Sequence, residues 1–256
     1  MAFDVAGGSY QRFMGRFSET LSGPFADFAG VTAGSGMRVV DVGCGPGALT
    51  SLLVDRLGAP AVAGVDPSET LLDAVRERLP DVEIRKAPAE ALPFDDDAFD
   101  AALAQLVVHF MRDPEIGVGE MARVTRPGGV VAVCVWDHAG GRGPLSAFWA
   151  AVGEVDPGAR DEASLVGSTQ GQLEALLGSC GLDDVVGDEV TTTRSYTSFQ
   201  DWWEPYTLGV GPAGDYVRSL DDATRDRLIA ACRTRIPDRQ FTLDATAWAA
   251  RGRVPS

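Results

Sequence analysis

Val39-Val40-Asp41-Val42-Gly43-Cys44-Gly45-Pro46-Gly47 is the stretch that decides how this chain folds. A short apolar strand runs straight into a glycine-dense turn, and a helical pattern follows. Glycine at 43, 45 and 47 lets the backbone take positive φ and removes the Cβ atoms that would hold a ligand away, while the next helix presents free N–H groups. Asp41 sits at the strand end, two residues before the first glycine. A carboxylate there favours a ligand bearing positive charge over a pyrophosphate.

Gly43, Gly45 and Ala48 also satisfy the dinucleotide pattern G-x-G-x-x-[GA], with an acid, Asp66, at the next strand end. An NAD(P)-dependent oxidoreductase would use the same glycines, but it would leave Asp41 and the strand entry at Pro127-Gly128-Gly129 without a reason. The D-x-G-x-G-x-G motif and the chain after it resemble a class I S-adenosylmethionine-dependent methyltransferase of the ubiquinone/menaquinone-biosynthesis-like, small-molecule branch. The resemblance runs closely over residues 9–136 and loosely beyond. It implies an α/β fold with a doubly wound, seven-stranded, mostly parallel sheet, N-terminal helices and a helical lid inserted before the last strand. It also implies S-adenosyl-L-methionine as cofactor and a small molecule as methyl acceptor. A protein that binds this cofactor without catalysis is the other alternative, since no obligatory catalytic residue is visible.

Composition bounds the reading. A chain of 256 residues, 45% of them hydrophobic, can bury one sizeable core with an appended lid, so a single domain over 1–256 is expected. Within it, 1–36 reads as an N-terminal helical cap, 37–136 as the cofactor-binding core and 196–240 as the lid. The formal charge of −15 argues against nucleic acid and against anionic membrane surfaces. Cys44, Cys134, Cys180 and Cys232 form no C-x-x-C pair, so neither a zinc site nor a disulfide framework is indicated, and a reduced cytoplasm fits. There is no basic start followed by an apolar run and no apolar segment near the length of a membrane span.

Residues 9–29 carry Tyr10, Phe13, Phe17, Leu21, Phe25 and Phe28 at helical spacing. In the resembled family a Tyr and an Arg of this segment close over the cofactor, which makes Tyr10 and Arg16 candidates. Strand one is expected over 37–42, with a helix to about Arg56, and strand two over 61–66. The resemblance gives Asp66, with Pro67 after it, the two ribose hydroxyls; Ser68 suits the N-cap of the next helix. Strand three, 82–87, leads into Pro88-Ala89-Glu90-Ala91-Leu92-Pro93-Phe94, which resembles the family's adenine loop. Where many relatives carry an Asp, this chain has Pro88, so Ala89 N–H and Glu90 are left as the adenine contacts. Cys44 joins Asp41, Gly43 and Gly45 in the loop expected to hold the methionine end.

Strand four, 99–104, delivers Gln105 to the carboxyl edge, where ligands of such sheets bind. Glu115–Val124 reads as a helix, Arg126-Pro127-Gly128-Gly129 as a tight turn and 130–136 as strand five. Beyond it come a helix at Leu173–Cys180, a strand at 185–195 and a last strand at 241–251, resembling the family's closing pair. Between those strands lie Trp202, Trp203 and Tyr206 and a charged helix over 221–235; this aromatic insertion exceeds what a hairpin needs and reads as substrate-binding. Methyl transfer from a sulfonium is an in-line displacement and needs a base only if the nucleophile must lose a proton. The two histidines, His109 and His138, follow the expected ends of strands four and five and are the candidate bases. No metal ligand set is expected.

Overall fold

The computed structural model describes residues 15–256. Its frame is a mixed sheet with the order β3-β2-β1-β4-β5-β7-β6, seven strands among the described residues. The strands are β1 (Val39–Val42), β2 (Val62–Asp66), β3 (Glu83–Lys86), β4 (Phe99–Gln105), β5 (Thr125–Trp136), β6 (Asp183–Tyr196) and β7 (Phe241–Arg253). All four residues of β1 are buried, because helices cover both faces of a parallel centre and leave no polar side to the strand. β1 pairs in parallel with β2 on one side and β4 on the other. The chain therefore winds outward from β1 through β2 to β3, then returns to start β4 beside β1. Their carboxyl ends diverge into the crevice where ligands of open α/β sheets bind.

Two apolar layers flank the sheet. One holds Phe17, Leu21 and Phe25 of α1 (Arg16–Phe28), Leu49 and Leu53 of α2 (Ala48–Leu57) and the aromatic insertion. The other holds Val118 and Met121 of α4 (Pro114–Val124) and Leu173 and Leu177 of α6 (Gln172–Ser179). Helix α3 (Glu69–Arg78) follows β2. The start of α4 is set by Pro114 at its first position and by Asp113, whose carboxylate accepts from Ile116 N at 3.1 Å.

Three local expectations change. Ser68 stands at the N-cap position of α3 but its hydroxyl caps nothing; its own N–H donates to Asp66 Oδ1 at 2.8 Å. Arg126-Pro127-Gly128-Gly129 is not a free turn before the strand but an irregular stretch inside β5, which pairs with β4 at Thr125 and again only from Val130. Gly128, at φ 74°, turns its N–H to Val254 O beyond the end of β7. The inserted region holds α7 (Phe199–Trp203), a 3-10 turn over Glu204–Leu208, α8 (Gly211–Ser219) and α9 (Asp222–Arg233). Of these, α8 was not expected, nor was α5 (Ser146–Val155), against which α9 packs. Gly and Pro at the start of α8 disguise its helical pattern.

Candidate functional site

A cavity of about 690 Å³ opens at the carboxyl edge, bounded by the glycine loop, the end of β2 and the loops after β3 and β4. Gly43 has φ 73°, and a Cβ there would fall 2.4 Å from Val107 Cγ2, so the loop after β4 sits where a side chain would otherwise be. Gly45 has φ 51° and open space beside it; backbone conformation alone calls for glycine there. Gly43 N and Cys44 N both donate to Val65 O, at 2.7 and 2.9 Å, which fastens the loop to the end of β2.

Asp66 and Pro67 line this cavity. The Asp66 carboxylate accepts from Gly45 N at 3.0 Å and Ser68 N at 2.8 Å, one bond to each oxygen, and each oxygen keeps a lone pair for a further donor. Burial raises its pKa, and the two backbone N–H groups oppose that shift.

Asp41 is placed differently from the expectation. Its carboxylate is 1% exposed and accepts from Thr50 Oγ1 at 2.6 Å, beneath the glycine loop, and it does not line the cavity. Burial lifts its pKa to about 7. A carboxyl that is half protonated at neutral pH and screened by the loop is not a charge that selects between cofactors, so that part of the motif argument fails for want of exposure. Cys44 is also buried, its Sγ packed against Gly64 of β2 rather than toward the cavity.

The loop after β3 is pinned from α4. Glu120 Oε2 accepts from Leu92 N at 2.8 Å, while the Arg123 guanidinium donates to Leu92 O at 3.0 Å and Phe94 O at 2.9 Å. This Glu120–Arg123 brace was missed in the sequence, where an i,i+3 charge pair looks like any exposed helix face. Ala89 and Glu90 both line the cavity. Ala89 N–H has no protein acceptor among the described residues. Glu90 Oε1 is taken by Arg112 N at 2.6 Å and Asp113 N at 3.3 Å, so the residue ties the β3 loop to the β4 loop and offers a ligand only its other oxygen.

Gln105, 9% exposed, lines the opposite wall. Its Nε2 donates to Ser18 O of α1 at 3.0 Å, and its buried Oε1 has no partner among the described residues. His109 follows in a 3-10 turn after β4; unlike Val107 and Phe110 it does not line the cavity, and its buried Nδ1 has no partner among the described residues. The imidazoles of His109 and His138 lie 6.2 Å apart, edge to face. Burial, and secondarily His138, holds His109 down to about 3. Burial likewise lowers His138 to about 4, opposed by Asp137 and Asp161. Both rings are therefore neutral near pH 7.

Trp202, Trp203 and Tyr206 are brought together, with Trp202 and Tyr206 ring centroids 5.0 Å apart, but none of them lines the 690 Å³ cavity. Tyr10 lies outside the described residues, and so does the side chain of Arg16. Among the described residues no group of three or more His, Cys, Asp or Glu side chains could hold a metal, and no helix is long and apolar enough to cross a membrane.

A methyltransferase-domain family matches residues 40–133, the stretch from β1 through most of β5. An uncharacterized methyltransferase of Mycobacterium tuberculosis is 43% identical over 100 residues, 39% of this chain and 40% of that protein. The match thus spans well under two thirds of that relative. A phosphatidylethanolamine N-methyltransferase of Cereibacter sphaeroides is 35% identical over 159 residues, covering 57% of this chain and 75% of that one. Among solved structures, a Haemonchus contortus phosphoethanolamine N-methyltransferase in complex with phosphomonomethylethanolamine and S-adenosylhomocysteine superposes with a TM-score of 0.59 at 16% identity. That superposition covers 98% of this chain and 57% of the other, and at such identity it shows the fold alone.

Proposed function

The chain belongs to the class I S-adenosylmethionine-dependent methyltransferases, and from that membership we propose that it moves a methyl group from S-adenosyl-L-methionine to an O, N or C atom of a small-molecule acceptor by in-line displacement. The observation that carries this reading is Asp66: a carboxylate on the wall of a glycine-lined cavity, oriented by Gly45 and Ser68 N–H, with acceptor capacity to spare. The cavity volume also suits a nucleoside-sized ligand.

The residues present fit such a cofactor. Asp66 accepts the ribose hydroxyls, beside Pro67. Ala89 N–H donates to the adenine ring, and the free oxygen of Glu90 accepts from its amino group. Gly43 and Gly45 let the backbone close on the methionine end, and Gln105 Oε1 is a buried acceptor suited to its ammonium. Asp41 acts from beneath the loop through Thr50, and Cys44 through its packing on β2. When bound, the cofactor supplies an electrophilic methyl on its sulfonium.

What the chain itself contributes is alignment and exclusion of water, on the order of 7–11 kcal/mol in well-oriented systems. Where the acceptor is a hydroxyl, the candidate proton acceptors are His109, whose Nδ1 has no partner among the described residues, and then His138; burial makes both weak bases. The division into an N-terminal cap (1–36), a cofactor core (37–136) and a lid (196–240) over the acceptor is part of this reading, as is a cytoplasmic location.

The test is calorimetry with S-adenosylhomocysteine and NADH. Binding of the first and not the second is expected, and Asp66→Ala should weaken it by about 2–4 kcal/mol while the chain still folds, with a lowered melting temperature because Gly45 N and Ser68 N lose their acceptor. Unaltered affinity in that variant would remove Asp66 from the role.

A further inference from the structure

The third glycine of the loop does not face the ligand. Gly43 and Gly45 line the cavity and Gly47 does not, although its φ is 83°. What lies beside it is α3: a Cβ on Gly47 would fall 2.8 Å from Arg78 Nη2 and 3.2 Å from both Cγ atoms of Val75. The missing side chain lets Arg78 reach the backbone, where Nη2 donates to Pro46 O and to Gly47 O at 2.6 Å each. A guanidinium suits this task, since it is always charged and carries two hydrogens in fixed directions on one terminal nitrogen. Its neighbour Arg76 is engaged by Glu69 and Asp73, whereas Arg78 forms no ion pair among the described residues.

The two carbonyls end the turn that Gly47 N closes on Cys44 O at 2.8 Å, and Gly47 O also accepts from Ser51 N, in the first turn of α2, at 3.0 Å. The same loop is held at Gly45 N by Asp66, and Asp66 in turn holds Ser68 N, one residue before α3 begins. The glycine loop is therefore tied to α3 twice, through Asp66 at its middle and through Arg78 at its end. Neither Arg78 nor the two residues it grips line the cavity. Losing the guanidinium leaves every lining side chain as it is and frees two backbone carbonyls, so what changes is where the loop stands. Arg78 is itself exposed, and its removal opens no core.

We propose that Arg78 is a positioning residue for the cofactor: it sets the glycine loop at the distance from Asp66 at which Gly43 and Gly45 close on the amino-acid end of S-adenosylmethionine. The inference rests on the methyltransferase reading and adds to it a residue outside the cavity.

The experiment titrates the whole chain calorimetrically with S-adenosylhomocysteine and with methylthioadenosine, which shares the nucleoside and the thioether but lacks the amino-acid end. Arg78→Met keeps an unbranched apolar stem and removes the donors. It should weaken S-adenosylhomocysteine about tenfold and methylthioadenosine less than about twofold, because only the first ligand needs the loop. Arg78→Lys, which keeps the charge and a donor of shorter reach, should restore part of that loss. A residue that only stabilised the fold would cost both ligands alike or neither. Equal losses for the two ligands, no loss for either, or a lysine variant no better than methionine overturns the proposal. Should Arg78→Met not fold, Arg78→Lys decides by itself: a loss confined to S-adenosylhomocysteine upholds the role, and a loss that is shared or absent overturns it. Failure of the unsubstituted chain to bind S-adenosylhomocysteine removes the methyltransferase reading, whereas binding without this split removes only the role of Arg78.

Discussion

Asp41→Asn isolates the electrostatic consequence of burying the motif's acid. The folded carboxyl titrates at about 7 against an ordinary value of 3.8, mainly through desolvation. Below the ordinary value the group is protonated in both states. Between the two values the unfolded chain releases the proton and the folded one keeps it, so folding stability falls by roughly 1.4 kcal/mol per pH unit as pH rises. Above about 7 the folded carboxyl ionises as well and the slope ends. Across the window the ceiling is roughly 4 kcal/mol, a large share of a domain's usual margin. Asparagine keeps an acceptor for Thr50 Oγ1 and has no titration, so it should remove this slope. Urea unfolding of both proteins at half-unit steps from pH 5 to 8.5 measures it. The difference in stability should move steadily in favour of the variant up to about pH 7 and then level off. Parallel curves, or a variant that loses ground at high pH, would refute the claim that this carboxyl is buried with its proton.

Gly43→Ala should destabilise the fold by about 1–3 kcal/mol in thermal unfolding and weaken S-adenosylhomocysteine binding, because the new Cβ meets Val107 at 2.4 Å with φ at 73°. His109→Ala should slow turnover on a hydroxyl acceptor by about 10²–10⁴-fold if the imidazole is the base. The wild-type pH–rate profile should then lack a limb near the ordinary imidazole value, since burial moves that titration down to about 3. Arg123→Ala, which unpins Leu92 and Phe94 carbonyls without touching the cavity, should raise the Michaelis constant for the cofactor several-fold and spare the rate at saturation, as steady-state kinetics would show.

The sequence by itself determined the sheet and pointed to its carboxyl edge as the place of the candidate site. Apolar runs of four to seven residues separated by helical periods leave few ways to bury both sheet faces, and Gly43, Gly45 and Gly47 at a strand-to-helix junction mark a turn in which all three glycines take positive φ. Asp66 was legible as an acid at the carboxyl edge, being the last residue of β2, although Asp41 near the end of β1 shows that such a position does not by itself fix where the side chain points. Side-chain environment was not legible, because burial and hydrogen bonding depend on segments far apart in the chain. Asp41 looked like an exposed charge until Thr50 and the loop closed over it. Glu90 read only as an adenine contact, whereas in the fold one of its oxygens also accepts from Arg112 N and Asp113 N. Trp202 and Trp203 looked alike in sequence, yet of the two only Trp202 has a buried N–H with no partner among the described residues. Local pattern fixes which way a strand or helix faces; only the packed tertiary structure decides which polar atoms that packing leaves without a partner.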